Sequence, residues 1–261
     1  MHADDMSGLS AGQLDELVAR VSGLLGMPWQ KERGRRRGLS LREAVIVTCG
    51  YMRSNITEET WAAVFSVSQP TISRAITVLT PLIAEATASC RPGEEQAAAA
   101  VTGRTVLLDG FLAPCWSWQP IHLTYSGKHR TTGFNAQVIT TMQGRVLYVS
   151  SPLPGRTHDM AALSMSPAKA ILSSAFSVLA DKGYQGSGYI TPHKKKPKEE
   201  LAEWQKQYNS DLSRLRSPIE RAIAHIKSWR ILHTDYRRPL STYLSSFQAA
   251  IGLYFYKLTY E

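Results

Sequence analysis

Three acidic residues, Asp109, Asp181 and Glu220, stand where a carboxylate is hard to accommodate. Asp109 closes the apolar run Thr105-Val106-Leu107-Leu108 and precedes Gly110. Asp181 closes Phe176-Ser177-Val178-Leu179-Ala180 and precedes Lys182-Gly183-Tyr184. Both runs are short, apolar and β-branched enough to predict buried strands. An unpaired carboxylate at the end of a buried strand is unfavourable. Two such strands and a helix carrying Glu220 can bring three carboxylates to one point. Hard divalent cations take oxygen ligands of this kind. In-line attack on a phosphodiester uses the same arrangement, with two ions about 3.5–4 Å apart on the attacking and leaving oxygens. Aspartate is short and fixed by its strand, whereas glutamate reaches in from a helix.

Each acid also has a purely structural reading. Asp109 before Gly110 fits a turn, and Asp181-Lys182-Gly183 fits a strand exit. Ser217-Pro218-Ile219-Glu220 fits a capping box with proline at the first helical position. Asp159, in His158-Asp159, fits a helix cap and is the reserve metal ligand. The functional reading rests on the set of acids. Arg216 and Lys227 strengthen it: they share one face with Glu220 if the helix extends back past Pro218. Cations beside a metal-binding acid suit phosphate oxygens on either side of a cut. The opposite face, Ile219, Ala222, Ile223 and Ile226, anchors the helix.

The elements that position these residues fall into two groups. Residues 1–90 read as helical, with starts at Ser10, Ser40, Thr57 and Ser68. Over residues 57–80, two helices joined by a tight turn match a helix-turn-helix. Ile72, Ala75, Ile76 and Leu79 face inward, and Gln69, Thr71, Ser73 and Arg74 face outward as candidate DNA contacts. The basic segment Lys31 to Gly38 reads either as a solvated loop or as a phosphate-contacting arm. Residues 91–103 are compositionally simple and read as a linker. From 104 to 261 strands come first: up to Asp109, Phe134–Thr141, Val146–Ser150 and Phe176–Asp181. Thr157 or Asp159 caps a helix through Leu163, and further helices cover Ser217–Trp229 and Ser241–Lys257. This order predicts an α/β domain, a sheet with helices packed on it.

Composition narrows the partner. The 261 residues are 43% hydrophobic, so a sizeable core is available, and the formal net charge of +9 favours a polyanion such as nucleic acid. There is no basic amphipathic anchor and no apolar run of the roughly 18 residues a membrane span requires, so no membrane partner is expected. Cys49, Cys90 and Cys115 are widely spaced and form no C-x-x-C pair, which argues against zinc or a disulfide framework. Met1-His2-Ala3-Asp4-Asp5 has no signal-peptide features, so a cytoplasmic location is expected. Paired carboxylates also occur in glycosidases, but the basic charge and the helix-turn-helix argue against that chemistry.

Leu107-Leu108-Asp109-Gly110, Leu179-Ala180-Asp181-Lys182-Gly183-Tyr184 and Arg216 with Glu220 and Lys227 resemble the DDE-superfamily transposases of bacterial insertion sequences. The group related to Harbinger elements is the most similar. Ser126-Gly127-Lys128-His129 and Pro154-Gly155-Arg156-Thr157-His158-Asp159 also resemble segments of that group, as does the helix-turn-helix. The resemblance implies an RNase H-like catalytic domain, a mixed sheet flanked by helices, preceded by an all-α DNA-binding domain. It implies Asp109, Asp181 and Glu220 as ligands of Mg²⁺, which Mn²⁺ can replace, and Arg216, Lys227 and Lys128 as phosphate contacts. Ser213 stands where the family's Tyr-Arg-Glu-Lys signature has tyrosine. The implied substrate is double-stranded DNA, namely element ends and target. The implied assembly is a homodimer or larger, associated with the bacterial nucleoid. A decayed copy that binds DNA without cutting it, and a nuclease that does not join strands, are the alternatives.

Overall fold

The computed structural model describes residues 3–30, 36–116, 124–128, 130–197 and 199–259. The chain divides into two compact units, Met1–Arg91 with Lys227–Glu261, and Pro92–Ile226.

In the first unit, Ser10 and Gln13 form a reciprocal cap that opens helix α1 (Ala11–Leu24), and Leu14, Leu17 and Val21 are its buried stripe. Ser40 and Glu43 repeat the device at α2 (Leu41–Ser54), which is buried from Ala44 to Met52. Such boxes satisfy amide donors that the first helical turn leaves unpaired. Thr57 caps α3 (Glu58–Val64), whose first-turn acids Glu58 and Glu59 complement the helix dipole. The chain then turns at Ser66, which takes a left-handed conformation with φ of 52°. The Val67 amide donates to the Ala62 carbonyl across that turn. α4 (Gln69–Ala86) follows, with Pro70 in its first turn. Ile72, Ala75, Ile76 and Leu79 are buried as expected, while Gln69 and Arg74 are exposed and Thr71 and Ser73 half-buried.

The second unit opens with α5 (Glu94–Val101), inside the stretch expected to be a linker. Its alanine run looks featureless in composition, yet alanine is the strongest helix former. Ala97 and Val101 are fully buried. The strands are β1 (Thr105–Pro114), β2 (Tyr125–Ser126), β3 (Thr131–Thr141), β4 (Val146–Val149), β5 (Leu153–Pro154) and β6 (Ser177–Ala180). The sheet runs β2-β3-β1-β6, with β4 and β5 also paired to β3. β1 is antiparallel to β3 and parallel to β6, so the sheet is mixed. Between β5 and β6 lie α6 (Asp159–Met165) and α7 (Ala168–Ile171). α8 (Glu203–Ile226) follows β6.

Strand alternation sorts the core into two faces. Val106, Leu108, Val178 and Ala180 pack with Ala97, Leu163 and Ile171. Leu107 and Leu179, one residue out of phase, pack with Leu212 and Ile219 of α8. Helices therefore cover both faces of the sheet.

After α8 the chain returns to the first unit and forms α9 (Tyr243–Leu258), which packs on α4. Residues 227–261 thus belong with the N-terminal helices, not with the sheet, although their sequence position suggests the latter. α9 is buried from Phe247 to Leu253 apart from Gln248, and the stripe of α4 supplies the surface that covers it. Tyr256 Oη donates to the Gln13 carbonyl at 2.6 Å, tying the last helix to the first. No helix among the described residues is long and apolar enough to cross a membrane.

All three cysteines are free thiols. Burial pushes the Cys49 thiol up to about 12, so it is neither ionised nor reachable at neutral pH. Cys115 is also buried, while Cys90 is half-exposed. A neutral thiol reagent is expected to label Cys90 alone in the native protein and all three cysteines in denaturant, as read by intact mass.

Candidate active site

The register of two parallel strands places the first acids. Leu107 pairs with Leu179 and Leu108 with Ala180, so Asp109 and Asp181 come next on adjacent strands. Neighbouring strands lie about 4.8 Å apart, and both residues fall in phase with Leu107 and Leu179, toward α8. β6 ends here as expected. β1 does not: Gly110 pairs with Gln137 and the strand continues to Pro114 against β3. Asp109 is therefore held by backbone on both sides, which excludes the turn reading.

Two carboxylates this close repel each other. α8 supplies the compensation. Its inward stripe is Leu212, Arg216 and Ile219, so an arginine stands where spacing calls for an apolar side chain. Arg216 Nη2 donates to Asp109 Oδ2 at 2.8 Å, and Nη1 lies 3.6 Å from Asp181 Oδ1. The Gly110 amide donates to Asp109 Oδ1 at 2.8 Å. Burial still dominates and pushes the Asp109 carboxyl up to about 6, against the opposing pull of Arg216 and the Gly110 amide.

Glu220 lies one turn beyond Arg216 and is exposed. α8 runs unbroken from Glu203 through Ser217 and Pro218, so Ser217 is not its cap and the capping-box reading of Glu220 is excluded. A proline inside a helix removes one backbone bond. At that point α8 rests on the β3–β4 turn, where Gly144 has φ of 89° and a Cβ would come 2.9 Å from the Pro218 carbonyl. Lys227, just past α8, is half-buried, and burial holds its ammonium below the ordinary lysine range.

Asp159 enters from the other side. The cap of α6 is His158 and neither Thr157 nor Asp159, so the Asp159 carboxylate is not spent on capping. It accepts from Lys128 Nζ at 3.0 Å, and the same Nζ lies 3.8 Å from Asp181. Partial burial lowers the Lys128 pKa, but Asp159, Asp181 and Asp109 outweigh it and hold the ammonium above its ordinary value. A cleft of about 500 Å³ opens here, bordered by Asp159 and Asp181 and by the cations Lys128, Arg156, Lys182 and Lys194. His129 lies outside the described residues, as do 31–35 of the basic arm.

Two glycines make room for Asp159. A Cβ on Gly110 would lie 3.3 Å from its Oδ1, and one on Gly183 only 2.2 Å from its Oδ2. Gly183→Ala is therefore expected to drive the carboxylate away from Lys128 and to destabilise the fold by about 1–3 kcal/mol. Adding Asp159→Ala relieves the overlap, so the two substitutions should be non-additive in urea unfolding.

Asn135 and Gln137 are further site residues that the sequence reading passed over. Asn135 Nδ2 donates to the Thr157 carbonyl at 3.2 Å and fixes the loop entering α6. Gln137 Oε1 accepts from the buried Tyr184 hydroxyl at 2.7 Å. Burial raises the Tyr184 pKa, so the phenol remains a neutral donor. Their signal is legible: two amides at alternate positions of the otherwise apolar Phe134–Ile139 share one face of a buried strand.

Among the described residues, no group of three or more His, Cys, Asp or Glu side chains is already arranged to hold a metal ion. By chemistry, Asp109 and Asp181 fit a hard divalent cation, since both offer carboxylate oxygens from adjacent rigid positions. In the first unit, Gln69 Nε2 donates to Glu58 Oε2, and Arg238 forms a buried ion pair with Glu58 and donates to Thr77 Oγ1 at 2.6 Å.

Comparison with known proteins gives the family of the chain. Residues 108–254, more than half of the chain, match the DDE superfamily endonuclease family, and that span contains Asp109, Asp181, Arg216 and Glu220. The chain is 29% identical over 230 residues to a putative transposase for insertion sequence element IS112 of Streptomyces albus G, covering 87% of this chain and 83% of that protein. It is 25% identical over 260 residues to a probable transposase for insertion sequence element IS702 of Microchaete diplosiphon, covering 97% and 93%. No solved structure matches the chain. DDE nucleases generally use divalent metals. The chain belongs to the DDE superfamily endonucleases.

Proposed function

We propose that the protein is the transposase of an insertion sequence: it cuts phosphodiesters at the element ends and joins the freed 3′-hydroxyl to target DNA. The observation that carries this reading is the pair Asp109 and Asp181, which follow the paired residues Leu108 and Ala180, are half-buried, and are bridged by the buried Arg216 in a chain of this family. The sheet with helices on both faces is consistent with an RNase H-like domain. Asp109, Asp181 and Glu220 would hold Mg²⁺, or Mn²⁺ in its place, with Asp159 in reserve. When bound, the ions lower the pKa of the attacking hydroxyl and offset charge on the leaving oxygen.

The remaining chemistry belongs to the chain. β1 and β6 fix the two aspartates before substrate arrives, which limits reorganisation during reaction. Arg216, released from the carboxylates, donates to phosphate oxygens, and Lys227 does the same further along the chain. Lys128, held by Asp159, contacts a phosphate in the cleft. In the first unit, α3 and α4 act as a helix-turn-helix on duplex DNA, with Gln69, Thr71, Ser73 and Arg74 at the start of the second helix. Paired ends require at least a dimer of this chain.

The test is a plasmid carrying the DNA that flanks the gene, incubated with the protein and Mg²⁺ or Mn²⁺. Cuts at the flank ends followed by a strand-transfer product are expected. DNA binding without cleavage under either ion would leave only the binding function, and cleavage without joined product would leave a nuclease.

A further inference from the structure

The start of α4 is flanked by two clefts, and their charges differ. One is bordered by Gln69, Ser73, Thr77, Arg237 and Arg238, but it also contains Glu58 and Glu59. Arg238 is already paired with Glu58, and Arg237 donates to the Asn55 carbonyl, so these cations are committed within the protein. The other cleft, about 780 Å³, is bordered by Arg36, Arg37, Arg74, Ser68 and Thr71, with no acid among its described lining residues. All three arginines are exposed.

This second cleft is pre-shaped. The Arg37 guanidinium lies 4.0 Å from the centroid of the Trp29 ring. Trp29 is itself fixed, being buried and donating from Nε1 to the Leu39 carbonyl at 2.9 Å. Gln30 Oε1 accepts from the Arg37 amide at 3.0 Å and locks the backbone of the same residue. Stacking occupies the face of a guanidinium and leaves its N–H edge free to donate. Planar forks of this kind suit phosphate oxygens.

We propose that Arg36, Arg37 and Arg74, with the hydroxyls of Ser68 and Thr71, form a clamp for the phosphate backbone of duplex DNA beside α4. It rests on the reading of α4 as a DNA-binding helix and adds how that helix is held in register. Phosphate contacts position a protein on DNA without reading sequence. Each also releases counterions, which gives affinity its salt dependence.

The experiment is fluorescence anisotropy of the full chain with two labelled duplexes, one carrying an element end and one of unrelated sequence, across a salt series. Arg36→Gln, Arg37→Gln and Arg74→Gln are compared with wild type and with Lys169→Gln on α7. Each arginine variant should lower the slope of log K against log salt by about 0.9. Each should also weaken both duplexes by the same factor, leaving their affinity ratio unchanged, while Lys169→Gln does nothing. Arg36 and Arg74 lack the Trp29 stack, so their variants separate lost phosphate contact from lost packing. An unchanged slope in all three variants, with wild type still binding, overturns the clamp and leaves the α4 reading intact. A wild-type chain that binds neither duplex at low salt removes the α4 reading and the clamp with it.

Discussion

Asp181→Asn is expected to abolish DNA cleavage while leaving the fold intact. Asparagine has the same size and sits at the same point of the sheet, so the Leu108–Ala180 rung and the α8 packing persist. Arg216 keeps its nearer partner, Asp109 at 2.8 Å. Removing one of two facing carboxylates also relieves repulsion. Stability should therefore stay within about 1 kcal/mol of wild type, in the range of substitutions that create no cavity and leave no buried charge unpaired. Cleavage should fall by at least about 10²–10³-fold, the loss seen when one preorganised stabilising group is removed. Glu220→Gln should behave alike, since that side chain is exposed. Side-by-side plasmid cleavage and urea unfolding give both readouts. Equal cleavage by wild type and Asp181→Asn would mean that the scissile phosphate is bound elsewhere or that the activity is a contaminant.

The parts of the molecule legible in the sequence are those fixed by local chemistry. Ser10, Ser40 and Thr57 mark helix starts because a hydroxyl before an apolar-periodic run has one favourable use. The strands up to Asp109 and Asp181 are legible because an acid after an apolar run is conspicuous. What could not be read depends on register between distant segments. Ser217-Pro218 has every local mark of a helix start, yet Leu212 and Ile219 pack on Leu107 and Leu179 and carry the helix straight through. Only with that continuity does Arg216 enter the stripe and reach the acids. Likewise, the Asp159 carboxylate counts as a site group only because Gly110 and Gly183, 73 positions apart (183 − 110), both leave it space. The return of residues 227–261 to the first unit is a matter of which apolar stripe covers which, and the apolar sequence of α9 does not itself name its partner.

Arg216 therefore has a second measurable role, as the buried counter-ion of the site. Arg216→Met places a side chain of similar length between Leu212 and Ile219, so the apolar stripe on α8 becomes continuous and packing changes little. The charges change a great deal. Asp109 and Asp181 lose their shared guanidinium while both remain largely buried, with side-chain exposures of 19% and 24%. Removing the guanidinium leaves Asp109 without its nearest donor, at a cost of roughly 1–3 kcal/mol, because Lys128 still lies 3.8 Å from Asp181 and the Asp109 carboxyl, already raised to about 6, takes up a proton. The urea midpoint of Arg216→Met should fall accordingly without divalent ions, and Asp109→Asn in the same chain should restore much of it. Added Mg²⁺ should raise the midpoint of Arg216→Met more than that of wild type, since in wild type the guanidinium competes for the same oxygens. Ligand that binds only the folded state stabilises it in proportion to its affinity, so the difference between the two responses measures that competition without requiring turnover. A loss below about 1 kcal/mol, with identical responses to Mg²⁺, would place the Arg216 pair among weak solvent-screened contacts. The aspartates would then be held apart by the sheet alone, and Arg216 would act only on DNA.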